Sequence, residues 1–264
     1  WSFVPTTILA QGDSCVGSKT SLDGFGKKNQ FGVFYPPRKI YVCNEFLNTL
    51  PNQEIYSGIG DVIHYLLPYD INNLFLSKII NLATRNEINE LINYSVFLSS
   101  KAMAIKGELV KIDEFDKGPR KVFNFGHTFG HTIEKSSTKY IPHGLAVLCG
   151  IYIALNFENN ETSISNICSK QKILIKELLE IIFKSEKITL SIRTNDLRKH
   201  LKSDKKNTRP NKVRVIVPTS LNKTLWTSNN ESAIYGLNYI DSDIEYCENI
   251  FRCLEHIQYI NFVN

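Results

Sequence analysis

The sequence predicts an α/β fragment followed by a mainly α-helical domain, with the change near residue 50. Three observations predict it. Short β-rich runs set between Gly, Ser and Pro fill the first fifty residues. After Pro51, apolar residues recur at helical spacing for most of the chain. The 264 residues are 42% apolar and 22% charged, the balance of a globular protein with a real core.

Taken in order, Phe3–Leu9 reads as a strand, residues 12–29 as a loop rich in Gly, Ser and Lys, and Lys39–Cys43 as a second short strand after Pro36-Pro37. Helical periodicity then runs through Ile55–Leu67, Leu74–Leu82, Ile88–Val110, Phe123–Ile133, Leu145–Phe157 and Ile164–Phe183. A β patch returns at Val213–Val217, with a second at Thr224–Trp226, and the tail Glu231–Asn264 reads as helical. The implied domains are residues 1–50 and 51–264.

Composition narrows the function classes. The net charge of +5 is spread along the chain, without the basic stripe of a nucleic-acid binder. Five of the eleven residues from Lys202 to Lys212 are Lys or Arg, which suits a solvated loop or an anion clamp. The longest apolar run, Leu145–Leu155, is too short for a bilayer, which needs about 20 residues. Six cysteines without a C-x-x-C pair give no disulfide framework, so a cytoplasmic location is expected. The chain opens at Trp1 on apolar residues, with neither a basic segment nor a cleavage site of a signal peptide. It is expected to be a piece of a longer gene product.

The histidines carry the chemistry. His127, His131 and His143 fall within seventeen residues, and His64 lies further upstream. His127 and His131 are four apart and share a helix face. Two imidazoles from adjacent helices with one carboxylate make a three-ligand zinc site with an open position. A lone H-x-x-x-H is weak evidence for this; the full string with a third histidine is stronger.

The string Asn124-Phe125-Gly126-His127-Thr128-Phe129-Gly130-His131-Thr132-Ile133-Glu134, followed by His143-Gly144, resembles the signature of the dehydroquinate synthase family. Val4–Ser14, Gly17-Ser18-Lys19-Thr20, Lys28-Asn29, Lys106–Val110 and Asp204–Asn207 resemble further family elements, in order, over residues 2–218. The resemblance implies a dehydroquinate synthase-like fold, with residues 1–50 closing an NAD-binding α/β domain and 51–264 binding metal and substrate. It implies a carbon–oxygen lyase of the shikimate pathway. Such an enzyme uses NAD and Zn2+ (or Co2+) to convert a phosphorylated heptulosonate, a keto-acid sugar, to 3-dehydroquinate with release of phosphate. A homodimer is implied too. The resemblance assigns Asp61, His127 and His143 to the metal. It gives Lys19, Lys106, Arg120, Asn124, His131 and His64 to catalysis or substrate contact, and Thr6, Thr7, Asp13, Lys19, Lys28 and Asn29 to cofactor contact. Lys205 or Lys206 would add an anion contact. An Arg fork suits a planar carboxylate.

The sequence departs from the family pattern at four places. The family's ligand glutamate is Asp61, one methylene shorter, and the lysine three residues on is His64. His64 is open to three roles: extra ligand, proton shuttle or weaker phosphate contact. Leu145 stands where the family has a glutamate, so a carboxylate supporting the metal histidines is expected to be lost. No G-x-G-x-x-G follows a strand, and Gly24-Phe25-Gly26 is too short to replace it, so weak NAD binding is expected of this chain alone. These departures keep three alternatives open: a sibling cyclase with another sugar phosphate, a metal-dependent alcohol dehydrogenase of the same fold, and a non-catalytic remnant.

Overall fold

The computed structural model describes residues 1–25, 27–157, 162–204, 207, 209–220, 233 and 235–264, without the side chains of 23, 27–29, 71, 162 and 163. The predicted patch at Thr224–Trp226 lies outside the described residues.

Strand β1 (Ser2–Phe3) is much shorter than the predicted Phe3–Leu9. Pro5 lacks the N–H that a ladder needs. Thr7 Oγ1 then accepts the Ala10 N–H at 3.1 Å and starts a helical turn over 8–14. That turn is wide-wound, with Cys15 N bonded to Ala10 O at 3.0 Å. The predicted loop 12–29 is in large part a hairpin of β2 (Lys19–Gly24) and β3 (Lys27–Phe34), paired Lys19↔Phe34 through Leu22↔Phe31. Gly and Lys mask its alternation in the sequence. β4 (Lys39–Ile40) pairs parallel with β1 and ends early, because a 3-10 turn takes over at Asn44–Thr49.

Five of the six predicted helices appear within a few residues of their expected limits. They are α1 (Asn52–Leu66), α2 (Leu74–Thr84), α3 (Ile88–Ile112), α5 (His143–Ala154) and α6 (Thr162–Ser185). The sixth, predicted as continuous over Phe123–Ile133, is broken. A 3-10 turn covers Pro119–Asn124, and α4 begins only at His127 and runs to Ser136. Gly126 at the break has φ 78°, which favours glycine, and a Cβ there would lie 2.6 Å from Ile151 Cγ1.

Beyond α6 come β5 (Leu190–Arg193), α7 (Thr194–Lys202), β6 (Lys212–Thr219), β7 (Gly236–Asp243), α8 (Ile244–Asn249) and β8 (Ile260–Val263). β6 pairs antiparallel with β7, and β5 parallel with β8. The tail is therefore not the helix expected over Glu231–Asn264. Its strands form because a distant part of the chain offers an edge, which local periodicity does not report.

α5 sets the geometry of the site. It is apolar all round and buried from Gly144 to Ala154, as such a helix must be. α1 packs on one side and α4 on another. Contact with α1 is at backbone distance: a Cβ on Gly144 would sit 1.7 Å from Ser57 O and 2.9 Å from Asp61 N. Asp61 is thereby pressed beside the first turn of α5, where His143 stands. Among the described residues no helix is long and apolar enough to cross a membrane.

Candidate metal and substrate site

Asp61 lies in the middle of α1 and is 2% exposed. Its Oδ1 is buried without a hydrogen-bond partner. Three imidazoles surround that oxygen: His127 Nε2 at 3.4 Å, His143 Nε2 at 3.7 Å and His64 Nδ1 at 3.8 Å. These separations are too long for hydrogen bonds. They match two ligands of one zinc ion, which stand ~3.4 Å apart when each is 2.0–2.2 Å from a tetrahedral centre. The ligand atoms of Asp61, His64 and His127 all lie within 4.8 Å of one another. So do those of His131, Glu134 and His143.

The histidines are oriented by their other nitrogens. His127 Nδ1 lies 3.2 Å from the Phe125 carbonyl and His143 Nδ1 lies 3.1 Å from Glu134 Oε1, which turns both Nε2 atoms toward Asp61. Carboxylate–histidine pairs of this kind fix the tautomer and raise ligand basicity. Glu134 thus places a carboxylate on His143, whereas Leu145 is fully buried core. An orphaned buried carboxylate oxygen and two oriented imidazoles fit a divalent cation. The His131 ring centroid is 5.5 Å from that of His127 and 5.6 Å from that of His143.

His64 is 2% exposed. Its Nδ1 lies against the Asp61 carbonyl oxygen, its ring packs 3.8 Å from that of Tyr65, and its Nε2 has no partner. Burial, with His127 beside it, pushes the imidazole down to about 4, against the pull of Asp61. It is neutral at pH 7 and makes no ion pair there.

Beside this cluster opens a cavity of about 740 Å³, reached by His127 and lined by Asp13, Lys19, Lys106, Arg120 and Asn124 among others. The helical turn over 8–14 delivers Asp13, whose carboxylate Oδ1 accepts Lys106 Nζ at 2.7 Å and the Tyr65 hydroxyl. Lys106 Nζ also reaches the Asp13 carbonyl at 2.5 Å. Burial pushes the Asp13 carboxyl up, but Lys106 and the two hydrogen bonds outweigh it and hold the group well below the usual carboxylate range. Lys19 Nζ is paired with Asp116 Oδ2 at 2.6 Å. Arg120 Nη1 donates to the Glu114 carbonyl at 2.7 Å, and among the described residues Arg120 makes no ion pair. Its loop is folded by Asp113, whose carboxylate accepts the backbone N–H groups of Lys117, Gly118 and Arg120 at 2.8–3.1 Å.

Thr6 and Thr7 do not line the cavity; Thr6 is exposed and Thr7 is spent on its cap. The side chains of Lys28 and Asn29, and all of Lys205 and Lys206, lie outside the described residues. Local pattern in the sequence does not mark Tyr65, Asp113 or Asp116. Glu134 had a usable signal, since it lies on the His131 face of α4, three residues on.

The fold is shared with solved structures of two synthases. A crystal structure of 2-deoxy-scyllo-inosose synthase, complexed with carbaglucose-6-phosphate, NAD+ and Co2+, superposes with a TM-score of 0.68 at 20% identity, over 95% of this chain and 66% of that one. A 2-epi-5-epi-valiolone synthase from Streptomyces hygroscopicus subsp. jinggangensis 5008, with NAD+ and Zn2+ bound, gives 0.61 at 15% identity, over 97% and 66%. Residues 1–57 match the family profile described as 3-dehydroquinate synthase N-terminal, and 58–207 match 3-dehydroquinate synthase C-terminal. The chain belongs to the 3-dehydroquinate synthase family, a family of enzymes. The 3-dehydroquinate synthase of Dichelobacter nodosus is 34% identical over 208 residues, 78% of this chain and 54% of the relative. That of Pyrococcus furiosus is 38% identical over 151 residues, 57% and 42% respectively. The chain spans about half the length of the curated relatives it matches.

Proposed function

We propose that this chain carries the metal- and substrate-binding part of a 3-dehydroquinate synthase-type cyclase. The reaction is conversion of a phosphorylated heptulosonate to 3-dehydroquinate with loss of phosphate, acting as a cytoplasmic homodimer with NAD and Zn2+ or Co2+. On this reading residues 1–50 close the NAD-binding domain and residues 51–264 form the second domain. The observation that carries the reading is the buried, unpaired Asp61 Oδ1 set among imidazoles beside a basic cavity.

Asp61, His127 and His143 would hold the cation, with Glu134 orienting His143. When bound, the metal supplies Lewis-acid polarisation of a substrate hydroxyl and NAD supplies the hydride chemistry. The chain's own residues bind and orient. Arg120, which among the described residues makes no ion pair, is the anchor for the substrate carboxylate, which its planar fork matches. Lys19 and Lys106 are point-charge contacts for the remaining anionic groups, each held ready by an aspartate, Asp116 or Asp13. Asn124, which lines the cavity, and His131, beside the two metal histidines, would contact the substrate. By likeness to the family, Asp13, Lys19, Lys28 and Asn29 would be the residues that contact the nicotinamide cofactor.

A sibling cyclase with a different sugar phosphate is the second reading, and the Asp61–His64 pair favours it. One assay separates the two. The gene product that contains this chain is supplied with NAD, Zn2+ and either the phosphorylated heptulosonate or a hexose phosphate without a carboxylate. Phosphate release from the heptulosonate alone is expected, with Arg120→Met losing most of it. Release from the hexose phosphate alone would replace the first reading with the second.

A further inference from the structure

We propose that His64 is a further protein ligand of the cation held by Asp61, His127 and His143, so that α1 supplies two ligands of the same ion. The inference rests on the cation reading of the site. Asp61 and His64 are three apart on α1 and face the same side. One ligand atom from each of Asp61, His64 and His127 falls within a common 4.8 Å. The His64 and His127 rings meet edge to face at 4.8 Å between centroids.

Satisfaction of buried polar atoms points the same way. Asp61 Oδ1 and His64 Nε2 are both buried and both lack a hydrogen-bond partner. Leaving two such atoms unsatisfied on neighbouring buried side chains costs free energy, and a common cation recovers it for both. Packing alone does not account for the imidazole. Its tilted ring contact with Tyr65 would be served equally by an apolar ring, with no nitrogen left unsatisfied.

Two consequences follow for the site. Aspartate reaches less far than glutamate, and α1 cannot slide toward the metal because Gly144 already meets it at backbone contact. A second ligand from the same helix holds the ion where a single short carboxylate would hold it weakly. With one carboxylate and three neutral imidazoles the ion keeps a net positive charge, and zinc can still take a fifth ligand, so a substrate oxygen retains its place.

The test needs no variant. Protein labelled with 15N in its histidine rings is loaded with 113Cd2+, and the one-bond coupling between cadmium and each ring nitrogen is read. Coupling from His64, His127 and His143 is expected, and the spectrum also reports which His64 nitrogen binds. Coupling from His127 and His143 alone would overturn the proposal and leave the metal site standing. Absence of stoichiometric cadmium uptake would overturn the underlying site. As a second measurement, His64→Phe keeps an aromatic ring against Tyr65 and removes the ligand. Zinc affinity in chelator competition should fall by more than about tenfold. Unchanged affinity would overturn the proposal.

Discussion

Replacing Lys106 with Met removes one charge from the cavity wall and little volume. Lys106 is 6% exposed, and its ammonium sits 2.7 Å from Asp13 Oδ1 and 2.5 Å from the Asp13 carbonyl. Stripping one partner from a buried ion pair costs ~3–5 kcal/mol. The Asp13 side chain is 28% exposed and keeps the Tyr65 hydrogen bond, so water and Tyr65 relieve part of the loss. A destabilisation of ~2–3 kcal/mol at pH 7 follows. For a chain of this size that lowers the melting temperature by roughly 5–10 °C. The pH dependence identifies the cause. Asp13 is held below its ordinary pKa in the folded wild type. Its contribution is therefore complete above the ordinary carboxylate range and is lost as pH falls through the depressed folded value. In Lys106→Met the main source of that depression is gone. The gap between wild type and variant should be largest near pH 7 and narrow as pH falls toward the carboxylate range, because burial without Lys106 favours proton uptake by Asp13 of the variant. Urea unfolding of both proteins between pH 3 and 7 measures it, over the range where both fold reversibly. A gap under ~0.5 kcal/mol, or one that stays constant with pH, would refute the assignment of Lys106 as the partner that keeps Asp13 charged.

Three further outcomes follow from the packing and the hydrogen bonds. Gly144→Ala places a methyl 1.7 Å from Ser57 O and must push α5 off α1, so a loss of ~3 kcal/mol or more is expected in thermal unfolding, with zinc binding impaired in any folded fraction. Glu134→Gln should leave the melting temperature of the metal-free protein nearly unchanged and weaken zinc binding about 10- to 100-fold by chelator competition, because His143 loses its carboxylate. Asp113→Ala removes the acceptor of three backbone N–H groups and should cost ~1–3 kcal/mol in urea unfolding, with faster amide exchange at Lys117, Gly118 and Arg120.

Much of the helical framework is legible in the sequence because each long helix buries one face and so repeats at 3.6 residues. The break before His127 is less so. Phe123–Ile133 keeps the period, and only the close approach of α5 to Gly126 explains why the helix stops and restarts. The hairpin at Lys19–Phe34 and the β7 and β8 strands depend on partner strands that local pattern does not reveal. For the site, the histidines at 127 and 143 declare themselves by spacing and family likeness. Asp61 is found only through that likeness, since a single acid in an apolar helix has no distinguishing pattern. Tyr65 and Asp116 escape because their roles are tertiary: Tyr65 meets Asp13 across 52 residues and Asp116 meets Lys19 across 97. Glu134, only nine residues from His143, lay closest to being readable.

The central claim is that side chains from α1, α4 and α5 converge on one divalent cation. Zinc content after equilibrium dialysis tests it most directly. Wild type should retain one equivalent, and Asp61→Ala and His127→Ala should each retain almost none while keeping the wild-type circular dichroism. A wild type that takes up no zinc, or variants that hold it as well as wild type does, would contradict the account.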